Sequence, residues 1–175
     1  TPTIPPQPKS TPIGGSMSAA SHGVDFGWGG IRTTKQFVQK FAGPAGDSRE
    51  NFYTSGQNLE INDVATFTDG YAIVKFRNVT STGANGSNPT WVDTDFPFFR
   101  LAEIYLNYAE AVLRGGTGGS SATALTYVNN LRQRAYGNAS GNILAGQLTV
   151  PFLIDERAKE LHWEGVRRTD LIRYG

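Results

Sequence analysis

The chain has 175 residues, of which 38% are hydrophobic and 18% charged, with a net charge of +1. That is enough apolar content for a core and too little net charge for wholesale disorder, and it leaves no basic footprint for nucleic acid or a membrane surface. With no cysteine there is no disulfide or thiolate chemistry, with two histidines a multi-His metal site is improbable, and no apolar run approaches the length of a transmembrane helix.

The length predicts one domain with three stretches of different character. Residues 1–30 carry only Lys9 and Asp25 as charged side chains and read as a Pro/Gly/Ser-rich loop segment, with no basic n-region or h-region of a signal peptide. Residues 31–97 read as a mixture of helix, hairpin and loops. Ile31, Phe37, Val38 and Phe41 fall at roughly helical spacing after Thr33 or Thr34 as N-cap, and Gly43-Pro44 stops that helix. The β-prone runs 64–68 and 71–77 flank Asp69-Gly70, which predicts a β-hairpin. Residues 80–95 form a Gly/Asn/Ser/Thr loop with turns at Asn85-Gly86 and Asn88-Pro89.

Residues 98–175 read as helical. The first helix follows Pro97 and ends at Gly115-Gly116, with Leu101, Ile104, Tyr105, Tyr108 and Val112 forming its apolar face. The second runs from Ser121 to Tyr136, with Leu125, Val128, Leu131 and Ala135 inward, and makes an αα-hairpin with the first. The third starts at Thr149 as N-cap with Pro151 in its first turn, and runs to Glu164 before Gly165 breaks it. Residues 170–173 predict one further short turn. The fold class is therefore mainly α with a small β-hairpin and long loops.

Several residues carry candidate chemistry. The glycine-rich run 115–120 follows a helix and precedes no lysine, so it is a connector rather than a phosphate loop. Glu156, Glu160 and Glu164 share one helix face, and a glycosidase needs two carboxylates about 5 to 9 Å apart. Arg157, Lys159, Arg167, Arg168 and Arg173 crowd the same segment, however, and guanidinium neighbours make carboxylates poor general acids. An ion-pair network locking the third helix to the following turn is the favoured reading. His162 lacks ligand partners, and a His22–Asp25 pair has no marked serine nucleophile to activate. Asp93 and Asp95 suggest a turn rather than a metal site, and no cofactor motif is present.

Phe26-Gly27-Trp28-Gly29-Gly30 places two aromatics in a loop of almost no charge. Flat aromatic faces on a loop suit sugar rings, whose C–H edges meet the negative π face. The other reading is that Trp28 plugs a core gap. Trp91, after Asn88-Pro89, presents a weaker version of the same choice.

Three ordered motifs resemble the SusD/RagB family. Residues 93–111 (DTDFPFFRLAEIYLNYAEA) are similar to its D-x-P-x-x-RLAE-x-YL-x-YAEA signature. Residues 128–135 (VNNLRQRA) are similar to its VN-x-LR-x-RA, and 156–175 to its ER-x-x-EL-x-x-EG-x-RR-x-DLIR run. The resemblance spans about residues 14–175. It implies tetratricopeptide-like helical hairpins, non-catalytic glycan binding, and a lipoprotein on the outer face of the outer membrane of Bacteroidetes. The implied partners are a starch-like glycan and a SusC-like TonB-dependent transporter. No nucleic acid is implied, and membrane contact comes only through a lipid anchor that this chain lacks.

The resemblance favours loop aromatics as glycan ligands: Phe26 and Trp28 first, with Trp91, and with His22, Asp25 and Arg32 as hydroxyl partners. It assigns Arg100, Glu110, Glu156, Arg157, Glu160, Asp170 and Arg173 to architecture. Family members are longer, so the chain reads as a C-terminal portion whose exposed apolar faces the intact protein covers. The alternatives are a protein-interaction scaffold docking on the transporter and a glycoside hydrolase using the Glu156/Glu160/Glu164 face.

Overall fold

A computed structural model describes residues 17–27 and 29–175. The proline-rich residues 1–16 and Trp28, on which much of the stacking expectation rests, lie outside the described residues. The chain packs as two compact units, Thr1–Val38 with Asn51–Asp95, and Gln39–Glu50 with Phe96–Gly175. Among the described residues the architecture is mainly α with one two-stranded sheet.

The first unit is loop-rich. Its helix α1 (Lys35–Val38) is a single turn, with Thr34 O accepting from the N–H groups of Phe37 and Val38. The second unit opens with a 3-10 turn over Gln39–Phe41, so the helix expected through to Gly43 is split. Strand β1 (Phe52–Tyr53) pairs antiparallel with β2 (Ala72–Ile73), in the register Phe52↔Ile73 and Tyr53↔Ala72. Met17, Val24 and Ala72 form a small buried cluster, with Tyr53, Val74 and Val92 packed against it.

The hairpin expected between 64–68 and 71–77 is corrected: β2 pairs with 52–53, and 64–68 is a turn-rich loop. The reason lies in competing hydrogen bonds. The Asp69 carboxylate, 5% exposed, accepts from the N–H groups of Asn62 (3.0 Å) and Asp63 (3.1 Å) and from the Asn58 amide (2.9 Å). The Arg32 guanidinium holds the carbonyls of Val64 (2.8 Å), Asp69 (2.9 Å) and Thr66. Side chains thus satisfy backbone groups that a ladder would otherwise pair.

The second unit holds α2 (Leu101–Leu113), α3 (Ser121–Tyr136), α4 (Val150–Glu160) and α5 (Arg167–Tyr174). α2 and α3 form the expected αα-hairpin, cemented by Tyr105 stacked on Tyr127 at 4.2 Å between ring centroids. Ser120 caps α3 by accepting from the Thr123 N–H at 3.1 Å, and Thr149 caps α4 by accepting from the Phe152 N–H at 3.3 Å. The core joins Leu106 and Ala109 of α2, Ala124 and Val128 of α3, and Leu153 of α4, all at 0% exposure.

The buried face of α2 matches the expected one in part: Tyr105, Tyr108 and Val112 pack against the core. Leu101 and Ile104 are exposed (62% and 54%), and Ala102, Leu106, Ala109 and Glu110 are buried. α2 is apolar on more than one face, so periodicity does not single out the inner one. The alanines at 102, 109 and 124 let the helix backbones approach, and that choice buries Leu106. α4 ends at Glu160, short of the expected Glu164, because the chain turns through Trp163 at φ 63. α5 is longer than the expected turn and docks through charge: its Leu171 and Ile172 are exposed, and its Asp170 is 1% exposed.

Candidate functional site

The candidate site lies in the first unit, where segment 22–27 meets segment 85–93. Asp25 N–H donates to the Pro89 carbonyl at 3.1 Å, and the Thr90 hydroxyl donates to the Asp25 carboxylate. The same carboxylate accepts from the Phe26 N–H at 2.9 Å. On the other segment, the Asn88 side-chain oxygen accepts from the N–H groups of Thr90 (2.8 Å) and Trp91 (2.9 Å), an Asx turn that fixes the backbone beneath the indole. Asp93 closes the segment by accepting from Ser87 N–H (2.6 Å) and Ser87 Oγ (2.8 Å), and these two bonds hold its carboxyl below the usual aspartate range. Phe26 and Trp91 emerge from this framework 52% and 49% exposed.

Beneath both segments sits Asn78, 2% exposed. Its amide nitrogen donates to the carbonyls of Gly23 (2.8 Å) and Asn88 (2.9 Å), and its amide oxygen accepts from the Asp93 N–H at 3.1 Å. Its backbone N–H donates to the His22 carbonyl, and its carbonyl accepts from Gly86 N–H. Two glycines make the close approach possible. A Cβ on Gly23, which sits at φ +74, would stand 2.0 Å from the Asn78 carbonyl oxygen, and one on Gly86 would stand 2.1 Å from the Asn78 amide oxygen.

The sequence-predicted ligand residues therefore separate. Asp25, Phe26 and Trp91 share one framework. His22 is buried within it, with Nδ1 2.9 Å from the Ser18 carbonyl oxygen and 3.0 Å from Ser21 Oγ. Arg32 belongs to the loop 64–69 constellation described above. Trp28 lies outside the described residues.

The residues assigned to architecture lie in the second unit, in two ionic clusters. In the first, Glu156 (1% exposed) sits between Arg49 (2.7 Å) and Arg132 (2.6 Å). Glu160 meets Arg49 at 3.2 Å, and also Arg100 and Arg134. Arg100 also grips Glu164 with two bonds, at 2.7 and 2.8 Å. Asp47 pairs with Arg49 at 2.7 Å. Burial pushes the carboxyls of Asp47 and Glu160 up, but the arginine hydrogen bonds and charges outweigh it and hold both below their usual range.

In the second cluster, Arg173 bridges Glu110 and Asp170, each at 2.8 Å, while Arg157 holds Asp170 at 2.9 Å and the Asn107 amide oxygen at 2.7 Å. The partners differ from the expected local ones. Glu156 and Glu160 are met by arginines from 49, 100, 132 and 134, not from within α4 or the turn after it. Among the described residues, no group of three or more His, Cys, Asp or Glu is placed to hold a metal ion, and no helix is long and apolar enough to cross a membrane.

The model of the SusD family matches residues 26–175. The chain belongs to the SusD family. It is 41% identical over 135 residues to the starch-binding protein SusD of Bacteroides thetaiotaomicron, covering 75% of this chain and 23% of that protein. A crystal structure of a SusD superfamily protein from the same organism superposes with a TM-score of 0.59 at 26% identity, over 81% of this chain and 29% of that one. The chain thus spans roughly a quarter of the length of these relatives.

In this SusD-family chain, sequence reasoning missed Asn78, Asn88 and Thr90, the polar residues that build the aromatic framework. Asn88-Pro89 was legible as a turn, but nothing local marks Asn78, whose partners lie 55 and 10 positions away. Arg49 and Asp47 were missed for the same reason, since Arg49 reaches Glu156 across 107 positions.

Proposed function

We propose that this chain is the C-terminal part of a non-catalytic, cell-surface glycan-binding protein that takes starch-like α-glucans and delivers them to a SusC-like TonB-dependent transporter in the outer membrane. The observation that carries the reading is the pair of rings, Phe26 and Trp91, exposed on two segments that hydrogen bonds tie together. Half-exposed aromatics with polar neighbours suit a hydrated polymer of flat sugar rings: the rings stack, and the neighbouring Asp25 and Thr90 offer oxygens to sugar hydroxyls. Kinship to a protein named for starch binding supports the choice of glycan.

The glycosidase reading is disfavoured by the acids it needs. Glu160, held down by Arg100 and Arg134, stays ionised at neutral pH and has no proton to donate. Glu156 is sealed between two guanidinium groups.

A second reading, a protein-docking role, has its own support. Phe98 and Phe99 stand 81% and 80% exposed beside Leu101 and Ile104, an apolar patch of the kind that protein partners cover. Calorimetric titration with maltoheptaose, alongside retention on amylopectin, tests the glycan reading. Binding that weakens in Phe26→Ala and Trp91→Ala, with no new reducing ends on incubation, is the expected result. Absence of binding to both probes overturns it.

A further inference from the structure

Asn78 stands apart from the expected ligand residues: it is buried, carries no charge, and touches every part of the aromatic framework. Its two amide protons go to carbonyls on different segments, Gly23 O at 2.8 Å and Asn88 O at 2.9 Å, three residues before Phe26 and three before Trp91. Its amide oxygen accepts from the Asp93 N–H at 3.1 Å, its own backbone N–H donates to His22 O, and its carbonyl accepts from Gly86 N–H. One side chain therefore fixes the base of both ring-bearing segments. Both flanking glycines are pressed so close against it that no Cβ fits. The rim contact between Thr90 and Asp25 is exposed, whereas the contact at the base is buried. A buried bond left half-made costs more than an exposed one, because water cannot replace the lost partner.

We propose that Asn78 is a positioning residue for the glycan site. Without touching the sugar, it ties together the two segments that carry Phe26 and Trp91, so that affinity depends on it through preorganisation of the two loops. This inference rests on the glycan reading above. Removing the amide leaves the carbonyls of Gly23 and Asn88 without their shared donor, and the two segments no longer have a common anchor. Ligand then has to order them on binding, which lowers affinity.

The test uses the full chain labelled with 5-fluorotryptophan, with the Trp91 and Trp163 fluorine resonances assigned by single replacement, and with Asn78→Ala and Asn78→Ser as variants. The expected result is an affinity for maltoheptaose at least tenfold lower in both variants. The Trp91 resonance shifts or broadens before ligand is added, while that of Trp163 stays in place. In a Trp91→Ala background the further loss from Asn78→Ala shrinks, because the amide acts through the ring already removed. Should Asn78→Ala lose the Trp163 signal through unfolding, the milder Asn78→Ser decides.

An unchanged affinity overturns the proposal. So does an unmoved Trp91 resonance, or an equal loss in the two backgrounds, which would mark a merely structural residue. A wild-type chain that ignores both maltoheptaose and amylopectin, with the Trp91 resonance still displaced in the variants, overturns the glycan reading and supports the positioning of the loop.

Discussion

The Thr90 hydroxyl donates to the Asp25 carboxylate across 65 positions of sequence, and this one bond joins the rims of the two segments that carry Trp91 and Phe26. It lies at the surface, where water competes for both partners, so its net worth is that of an ordinary hydrogen bond, about 0.5–1.5 kcal/mol. Thr90→Val keeps the shape and removes the donor. Maltoheptaose affinity should fall about three- to tenfold by calorimetry, and Thr90→Ser should restore it. A Thr90→Val variant that binds as tightly as the wild type would mean that the rim bond has no part in holding the site.

Each exposed ring should carry a separable share of the binding. Covering a large aromatic side chain is worth about 1–3 kcal/mol. Phe26→Ala and Trp91→Ala should therefore each lower α-glucan affinity by about five- to a hundredfold, and Trp91→Phe should retain most of it. Because both rings are half-exposed, the thermal midpoint should hardly move. If the two alanine variants lose stability and keep affinity, the rings are packing residues and the site lies elsewhere.

What could be read from the sequence follows the range of the interactions involved. The caps at Ser120 and Thr149 and the span of α3 are written within a few residues of one another, and they were legible. The inner face of α2 was legible only in part, because its apolar residues surround the helix and the alanines at 102, 109 and 124 choose among them. The hairpin expectation failed at Asp69-Gly70, a strong local turn signal overruled by Arg32, which lies more than thirty positions away in sequence. α5 was under-read because it docks through Asp170 and Arg173 instead of an apolar stripe. The exposed aromatics of the site were visible as composition. The asparagine that anchors them was not, since a buried Asn carries no signature until its partners are known.

Glu156 lies between Arg49 and Arg132 at the centre of the second unit and is 1% exposed. Replacing it by Gln keeps the volume but leaves two guanidinium groups facing a neutral amide. Breaking a buried ion pair by removing one partner costs about 3–5 kcal/mol. A urea titration followed by helical signal should show a midpoint lowered accordingly. A loss below about 1 kcal/mol would mean that Asp47 and Glu160 satisfy Arg49, and the Gly141 carbonyl Arg132, without it.

Acid should loosen the second unit through the same network. Asp47, Glu110 and Glu160 all have folded-state carboxyl values below the ordinary range, since arginine contacts outweigh the opposing effect of burial. In the unfolded chain these groups titrate near about 3.9 for Asp and 4.3 for Glu. Between the folded and unfolded values the unfolded state binds more protons, so stability rises with pH through that window. The stabilisation is complete above about pH 5 and is lost as pH falls through the lower, folded values. The thermal midpoint should be flat from pH 6 to 8 and should drop steadily below about pH 4.5. Arg100→Met takes away one of the three arginines that meet Glu160, so its folded value rises and the acid limb begins at higher pH. A variant whose acid limb overlays the wild type would show that Arg49 and Arg134 alone set the titration of Glu160.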